Sequence, residues 1–227
     1  MDDRNAPPLN PLPPVVWLLV LPVLAMEVVV SLGTAGLAGG ATGVGWRLDA
    51  VQRFAFSPEL ARWMWENDVW PLHGVLRFLT YPLVHGGFTH ALFVIVFLLA
   101  LGKFVGEVFR WWAVVAVVIG ATVTGALVYT AAPWIEAPLF GGYPPVYGLI
   151  GAFTFILWTN LGQRGANRAR AFTLIGFLLA IQLVFGLLFG GGPEWVADLA
   201  GFGAGFALSF VVSPGGWGRV VEMMRNR

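Results

Sequence analysis

Long apolar runs alternate with short polar breaks along most of the chain. Six runs read as membrane spans: about Val15 to Leu37, Leu76 to Val105, Trp111 to Ala132, Val146 to Leu161, Ala171 to Phe189 and Trp195 to Val212. A helix needs about 20 mainly apolar residues to cross a bilayer. The first run carries Pro22 in its interior. The fourth is the shortest, which predicts a helix enclosed by the others rather than bathed in lipid.

Between the first two runs, Gly40 to Pro71 mixes Trp46, Trp63, Trp65 and Trp70 with Arg47, Arg53 and Arg62. Such a mixture suits neither the hydrocarbon core nor bulk water. It predicts a loop with one or two amphipathic helices lying in the interface. Ser57-Pro58-Glu59 has the form of a helix start, with a Ser cap and Pro at the first position.

Composition agrees with spans rather than with a soluble core. Only 11% of residues are charged and 58% are hydrophobic, whereas a soluble domain carries roughly 25% charged residues. The predicted class is therefore all-α: a polytopic bundle of six transmembrane helices with a long interfacial loop between helices 1 and 2. Residues 1–14 are polar and Pro-rich and are expected to be a disordered cytoplasmic N-terminus; 15–212 form the transmembrane domain and 213–227 a basic cytoplasmic tail. The first apolar run is longer than a signal-peptide core and has no clear small-residue cleavage site, so it is read as a retained span. The absence of cysteine excludes disulfides and thiolate metal sites. A net charge of +1 gives no reason to expect nucleic acid as a partner.

Basic residues set the expected orientation. With both termini inside, Arg4, Lys103, Arg110, Arg164, Arg168, Arg170, Arg219, Arg225 and Arg227 fall on the cytoplasmic side. The loops between spans three and four and between five and six hold none. A single Lys beside twelve Arg, with abundant Ala, Gly and Val, suggests a GC-rich bacterial genome and hence the bacterial inner membrane. Small residues recur every four positions in the sixth run (Ala197, Gly201, Gly205, Ser209) and in the third (Ala116, Gly120, Thr124). Such stripes allow close backbone approach, and packing inside one bundle is favoured over a dimer interface.

The most specific stretch runs from Leu76 to His90, with Arg77, His85 and His90, and continues to Gly102 and Glu107. This resembles the rhomboid family. Its members carry an Arg eight residues before a His, a second His five residues later at the head of span two, and a Gly and a Glu toward that span's end. Arg77, His85, His90 and Gly102 fall in register, and Glu107 lies one residue late. The resemblance implies a six-helix intramembrane protease fold over about Val15 to Val212. It also implies that Arg77 pins the first loop.

Active members of that family use a Ser in a Gly-x-Ser-Gly turn at the head of span four. Their base is a His in span six ahead of a Gly stripe, and a His and an Asn in span two help form the oxyanion hole. Carried onto this sequence, the nucleophile position is Tyr147, followed by the matching Gly148. The base position is Asp198, ahead of Gly201 and Gly205, and the Asn position is Val94. Only His90 is retained of the four. A hydroxyl nucleophile needs a base within reach, and an oxyanion needs placed donors. Tyr147 has an unperturbed pKa near 10 and a bulky ring, Asp198 is a poor proton shuttle near neutral pH, and Val94 donates nothing. Losing one oxyanion donor alone costs roughly 10²–10³ in rate. The resemblance therefore implies a pseudoprotease that binds or stabilises transmembrane helices of a partner, such as an accessory subunit of a membrane complex. The alternative is an intramembrane serine endopeptidase with an unorthodox site. A transporter would be expected to show paired broken helices in repeated halves, and none are visible.

Charges within a bilayer are costly and usually functional. Glu27 and Asp198 are the two in question. Tyr147, Asp198, His90 and His85 are expected to form a hydrogen-bonded network in the former active-site cavity, while the partner of Glu27 is left open. Two His and a carboxylate could hold a metal, but a His-x4-His spacing at a helix head does not match a known metal motif, so no metal and no cofactor is expected. Beyond a partner helix, membrane lipid is the expected surrounding.

Overall fold

The structure is a computed structural model that describes residues 11–189 and 191–216. The polar residues 1–10 and the basic residues Arg219, Arg225 and Arg227 lie outside the described residues. Within them the chain is helical throughout and forms no β-strand. An isolated antiparallel bridge joins Phe56 to Leu139.

The elements are α1 (Pro14–Thr34), α2 (Gly40–Gly43), α3 (Trp46–Phe54), α4 (Pro58–Asn67), α5 (Leu72–Thr80), α6 (Phe88–Gly106), α7 (Trp111–Ala131), α8 (Tyr143–Gln163), α9 (Thr173–Phe189) and α10 (Trp195–Val212). Short 3-10 turns precede α6 at Tyr81–Leu83 and α9 at Arg168–Phe172. By length and apolar composition, α1, α6, α7, α8 and α10 can each cross a membrane. The α9 helix has 17 residues.

Burial follows helical spacing. In α1 the buried side is Val16, Val20, Val23, Glu27 and Val30, the i, i+3, i+4 pattern of one helix face. Pro22 sits in the helix on the exposed side. In α6 the corresponding side is Ala91, Val94, Leu98, Leu101 and Val105. Opposite faces present apolar side chains outward, for example Leu18, Leu21, Phe93, Val96 and Ile119. That outer surface suits a hydrocarbon solvent and would be untenable in water.

The α8 helix is the most enclosed, with 56% of its span buried against 33–39% for the other four. The enclosure expected of the fourth span is thus present, but the helix is not short: it has 21 residues and begins at Tyr143 rather than Val146. Pro144 and Pro145 fall in its first turn, where a missing N–H costs nothing.

The α8 helix packs chiefly on α10 and α7. A side-chain carbon on Gly201 would meet the Pro144 carbonyl, one on Gly205 the Gly148 carbonyl, and one on Gly151 the Phe202 carbonyl. Gly120 of α7 abuts Leu208 of α10. The α10 stripe and Gly120 of α7 are therefore packed inside the bundle. Gly148, Gly201 and Gly205 lie in this helix contact.

The second predicted span, Leu76 to Val105, is broken. Leu76 to Thr80 belong to α5, and α6 begins at Phe88. The residues between are apolar enough to read as a span, but Pro82 and the Gly86-Gly87 pair end one helix before the next begins.

The loop from Gly40 to Pro71 contains α2, α3 and α4. Ser57 caps α4 as expected, its Oγ accepting from the Leu60 N–H at 3.2 Å. Arg62 fastens α4 to the end of α7, donating to the carbonyls of Thr130, Ala132 and Ile135 at 3.1, 3.3 and 2.7 Å. Arg77 of α5 donates to the carbonyls of Gln52 and Ala55 at 2.8 and 3.1 Å. These donors satisfy carbonyls at two helix ends, where the backbone has no partner of its own.

Candidate functional site

One end of the bundle gathers the head of α6, the head of α8, the first turn of α10 and the turn after α5. The chain reaches α8 through Gly141, whose φ of +98° favours glycine and whose side-chain position is filled by the His90 ring. The next residue, Gly142, donates its N–H to His85 Nε2 at 3.3 Å. The His85 and His90 rings meet edge to face with centroids 4.9 Å apart. His90 stacks on Tyr143 at 4.8 Å and an interplanar angle of 21°. Tyr143 was not singled out in the sequence, although it stands in the same Gly-rich turn as Tyr147.

His85 is only 2% exposed. Burial, with smaller contributions from His90 and Arg47 against an opposing one from Glu27, pushes its pKa down to about 4. A neutral imidazole is what its geometry requires, since Nε2 must keep a lone pair to accept from Gly142.

Glu27, whose partner the sequence left open, pairs with Arg47. Arg47 Nη2 lies 2.6 Å from Oε1 and Nη1 lies 3.0 Å from Oε2. Ser31 donates to Oε1 at 2.8 Å, and Arg47 Nη1 also donates to the His85 carbonyl at 3.0 Å. Arg47 thus ties α3, α1 and the His85 turn together.

Asp198, in the first turn of α10, is 2% exposed. Its Oδ2 accepts from Gln182 Nε2 of α9 at 3.0 Å. Tyr147, in the first turn and a half of α8, is buried, and Val94 is fully buried beside Gly142. Among the described residues no hydrogen bond joins Tyr147 to Asp198, His90 or His85. The single network expected from the sequence is therefore two separate groups, His85–His90–Tyr143 and Asp198–Gln182. The reason is local: Gln182 supplies an amide donor to the carboxylate, and a ring stack with Tyr143 occupies His90. Gln182 carried no signal in the sequence beyond being the lone amide in an apolar run.

Among the described residues no three His, Asp or Glu side chains converge as metal ligands. Tyr81, under this end of the bundle, donates its hydroxyl to the Thr122 carbonyl at 3.0 Å. Burial, reinforced by Asp198, holds that hydroxyl well above its ordinary pKa.

A family model for the rhomboid domain matches residues 72–215, more than half of the chain. The chain belongs to the rhomboid family. Comparison with curated proteins found no match. The matched region holds α5 to α10 and with them Arg77, His85, His90, Tyr147 and Asp198. In this rhomboid α8 is the most enclosed of the candidate spans and carries the buried Tyr147, and among the described residues no hydrogen bond joins that phenol to Asp198.

Proposed function

We propose that this chain is a rhomboid-fold membrane protein that binds transmembrane segments without cutting them, as an accessory or stabilising subunit of a membrane complex. The observation that carries this reading is that Asp198 accepts from Gln182 and, among the described residues, no hydrogen bond joins it to Tyr147, the two residues that the family resemblance puts at the base and nucleophile positions. Acyl transfer needs the nucleophile and base in hydrogen-bond reach. His85, His90, Arg77, Glu27 and the α8–α10 glycines then serve to hold the bundle, and the catalytic positions are empty of catalytic groups.

In the same reading α9 is a sixth span, both termini face the cytoplasm of a bacterial inner membrane, and residues 15–212 are the membrane domain. The exposed Trp63, Trp65 and Trp70 support an interfacial position for α4 and the turn after it, on the side opposite the termini. Family membership keeps one other reading in play, a serine-type endopeptidase with an unorthodox site. Purification after in-cell crosslinking separates the two. The binding reading expects a membrane partner recovered at full length and in repeated preparations. Recovery of no membrane partner, or of a partner cut within its span, would overturn it.

A further inference from the structure

The connection between α8 and α9 concentrates basic charge on one tight turn. Arg164 caps the end of α8, Gly165 takes a φ of +66°, and Arg168 and Arg170 follow in the 3-10 turn before α9. All three arginines are exposed, and among the described residues none of their guanidinium groups makes a hydrogen bond or an ion pair. The sequence has no acid between Glu136 and Glu194. At the same end of the bundle Glu107, which follows α6, has Lys103 beside it at 4.0 Å.

Arg168 is held differently from the other two. Its Cζ lies 4.6 Å from the centroid of the Trp158 ring, and the guanidinium fills the place that a side chain on Gly162 would take. Trp158 and Gly162 stand four residues apart on α8 and so share one face. Trp158 is fixed in turn by Phe155, Phe206 and Phe210, at ring-centroid distances of 6.4, 6.3 and 5.8 Å. Phe172 extends this aromatic wall by packing on Phe206 at 5.5 Å, and it remains 36% exposed. Asn167 locks the turn itself, its side chain accepting from the Ala169 N–H at 2.9 Å.

A role in fixing orientation needs only positive charge, which a lysine anywhere in the turn would supply. It does not call for a guanidinium laid flat on an indole, nor for a glycine that makes room for it. Stacking restricts the side chain in advance and leaves the edge N–H groups outward, in the fork that matches two phosphate oxygens. The α8 helix is long and apolar enough to cross a membrane and ends at Gln163, so the turn stands where that span meets the lipid headgroups. Phosphates are the anions present there, and each basic residue near the surface favours lipids of net negative charge. The exposed edge of the aromatic wall suits the apolar part of the same molecule.

We propose that the α8–α9 turn is a binding site for the headgroup of an anionic phospholipid, its phosphate held by Arg168 on the Trp158 ring and its charge matched by Arg164 and Arg170. The site does not depend on whether the chain binds a partner helix or cuts one.

The test is native mass spectrometry of the full chain in detergent with equimolar phosphatidylglycerol and phosphatidylethanolamine. The proposal expects phosphatidylglycerol to be retained about tenfold over phosphatidylethanolamine. Arg168→Gln should bring that ratio close to one. Arg168→Lys should lose most of it, because lysine keeps the charge without the planar fork, and Trp158→Leu should do the same with every charge in place. Arg53→Gln removes an exposed charge in α3, at the other end of the bundle, and should leave the ratio unchanged. An unchanged thermal midpoint shows that a variant is folded, and Arg168→Lys carries the test if Trp158→Leu is not. Equal retention of the two lipids by the wild type, or a preference that survives Arg168→Gln, would overturn the proposal. Full preference in Arg168→Lys would overturn the role of the stacked guanidinium. A loss in Arg53→Gln as large as in Arg168→Gln would mean that the preference follows net charge, and would overturn the site. Displacement of the lipid by inorganic phosphate would make the turn a free-phosphate site, and displacement by a polyglutamate peptide a site for an acidic protein segment; either overturns the assignment to lipid.

Discussion

Arg47 of α3 forms a two-pronged ion pair with Glu27 of α1, at 2.6 and 3.0 Å, and spends a further N–H on the His85 carbonyl. The pair joins two elements twenty residues apart to the turn that precedes α6. Removing one member leaves the other charged and buried, which typically costs about 3–5 kcal/mol. Glu27→Leu and Arg47→Met should each lower the thermal midpoint in detergent by several degrees. The double variant should recover part of the loss, because neither charge is then stranded. A double variant as unstable as the sum of the singles would contradict the pairing.

The α8–α10 contact makes a position-specific prediction. Gly205→Ala drives a methyl into the Gly148 backbone, while Gly203→Ala on the same helix meets nothing. Overpacking of this kind costs about 1–3 kcal/mol, and an alanine in an open helical site is neutral or gains up to about 1 kcal/mol. Thermal shift on the two variants should give opposite or clearly unequal signs. Equal losses would mean that the helices do not approach as described.

His85 predicts an acid sensitivity. Its pKa is about 4 in the folded protein against 6.5 when unperturbed, so the unfolded chain binds the proton more readily between those values. Stability from this group is full above about pH 6.5 and is lost as the pH falls toward 4. The loss is on the order of 3 kcal/mol for a shift of this size. His85→Gln keeps a hydrogen-bond acceptor for Gly142 without the titration. Its midpoint should fall less than that of the wild type between pH 7.5 and pH 4.5, and equal falls would contradict the assignment.

Arg62 predicts a local effect. Its guanidinium serves the carbonyls of Thr130, Ala132 and Ile135 at the end of α7, and charge-assisted bonds contribute about 1.5–3 kcal/mol each. Arg62→Met should speed amide exchange in residues 128–136 and in α4 well before it affects α8. Exchange that rises uniformly through the bundle would contradict this local role.

Periodicity and composition were enough to read the helical class and the spans beginning at Trp111 and Trp195. They misplaced the start of the span now seen as α6, because hydropathy scores Leu76 to Val84 as apolar and is blind to the helix break at Pro82. They began the fourth span at Val146, whereas α8 begins at Tyr143 with Pro144 and Pro145 in its first turn. Of the candidate site, Tyr147, Asp198, Val94 and His90 were named through the family resemblance. The partners were not. Glu27 and Arg47 lie far apart in sequence, and their pairing depends on how α3 folds back on α1. It could have been guessed from two opposite charges stranded in apolar surroundings. Gln182 and Tyr143 were missed because an amide and an aromatic ring in a span carry no pattern until a neighbour is known.

The most direct test of the central claim is cleavage. Purified wild type, Tyr147→Phe and an active rhomboid are incubated in detergent and in liposomes with the same transmembrane substrate, and fragments are read by mass spectrometry. The account predicts fragments from the active control and an intact substrate from both the wild type and Tyr147→Phe. Cleavage by the wild type that disappears in Tyr147→Phe would make the phenol a nucleophile and contradict the account.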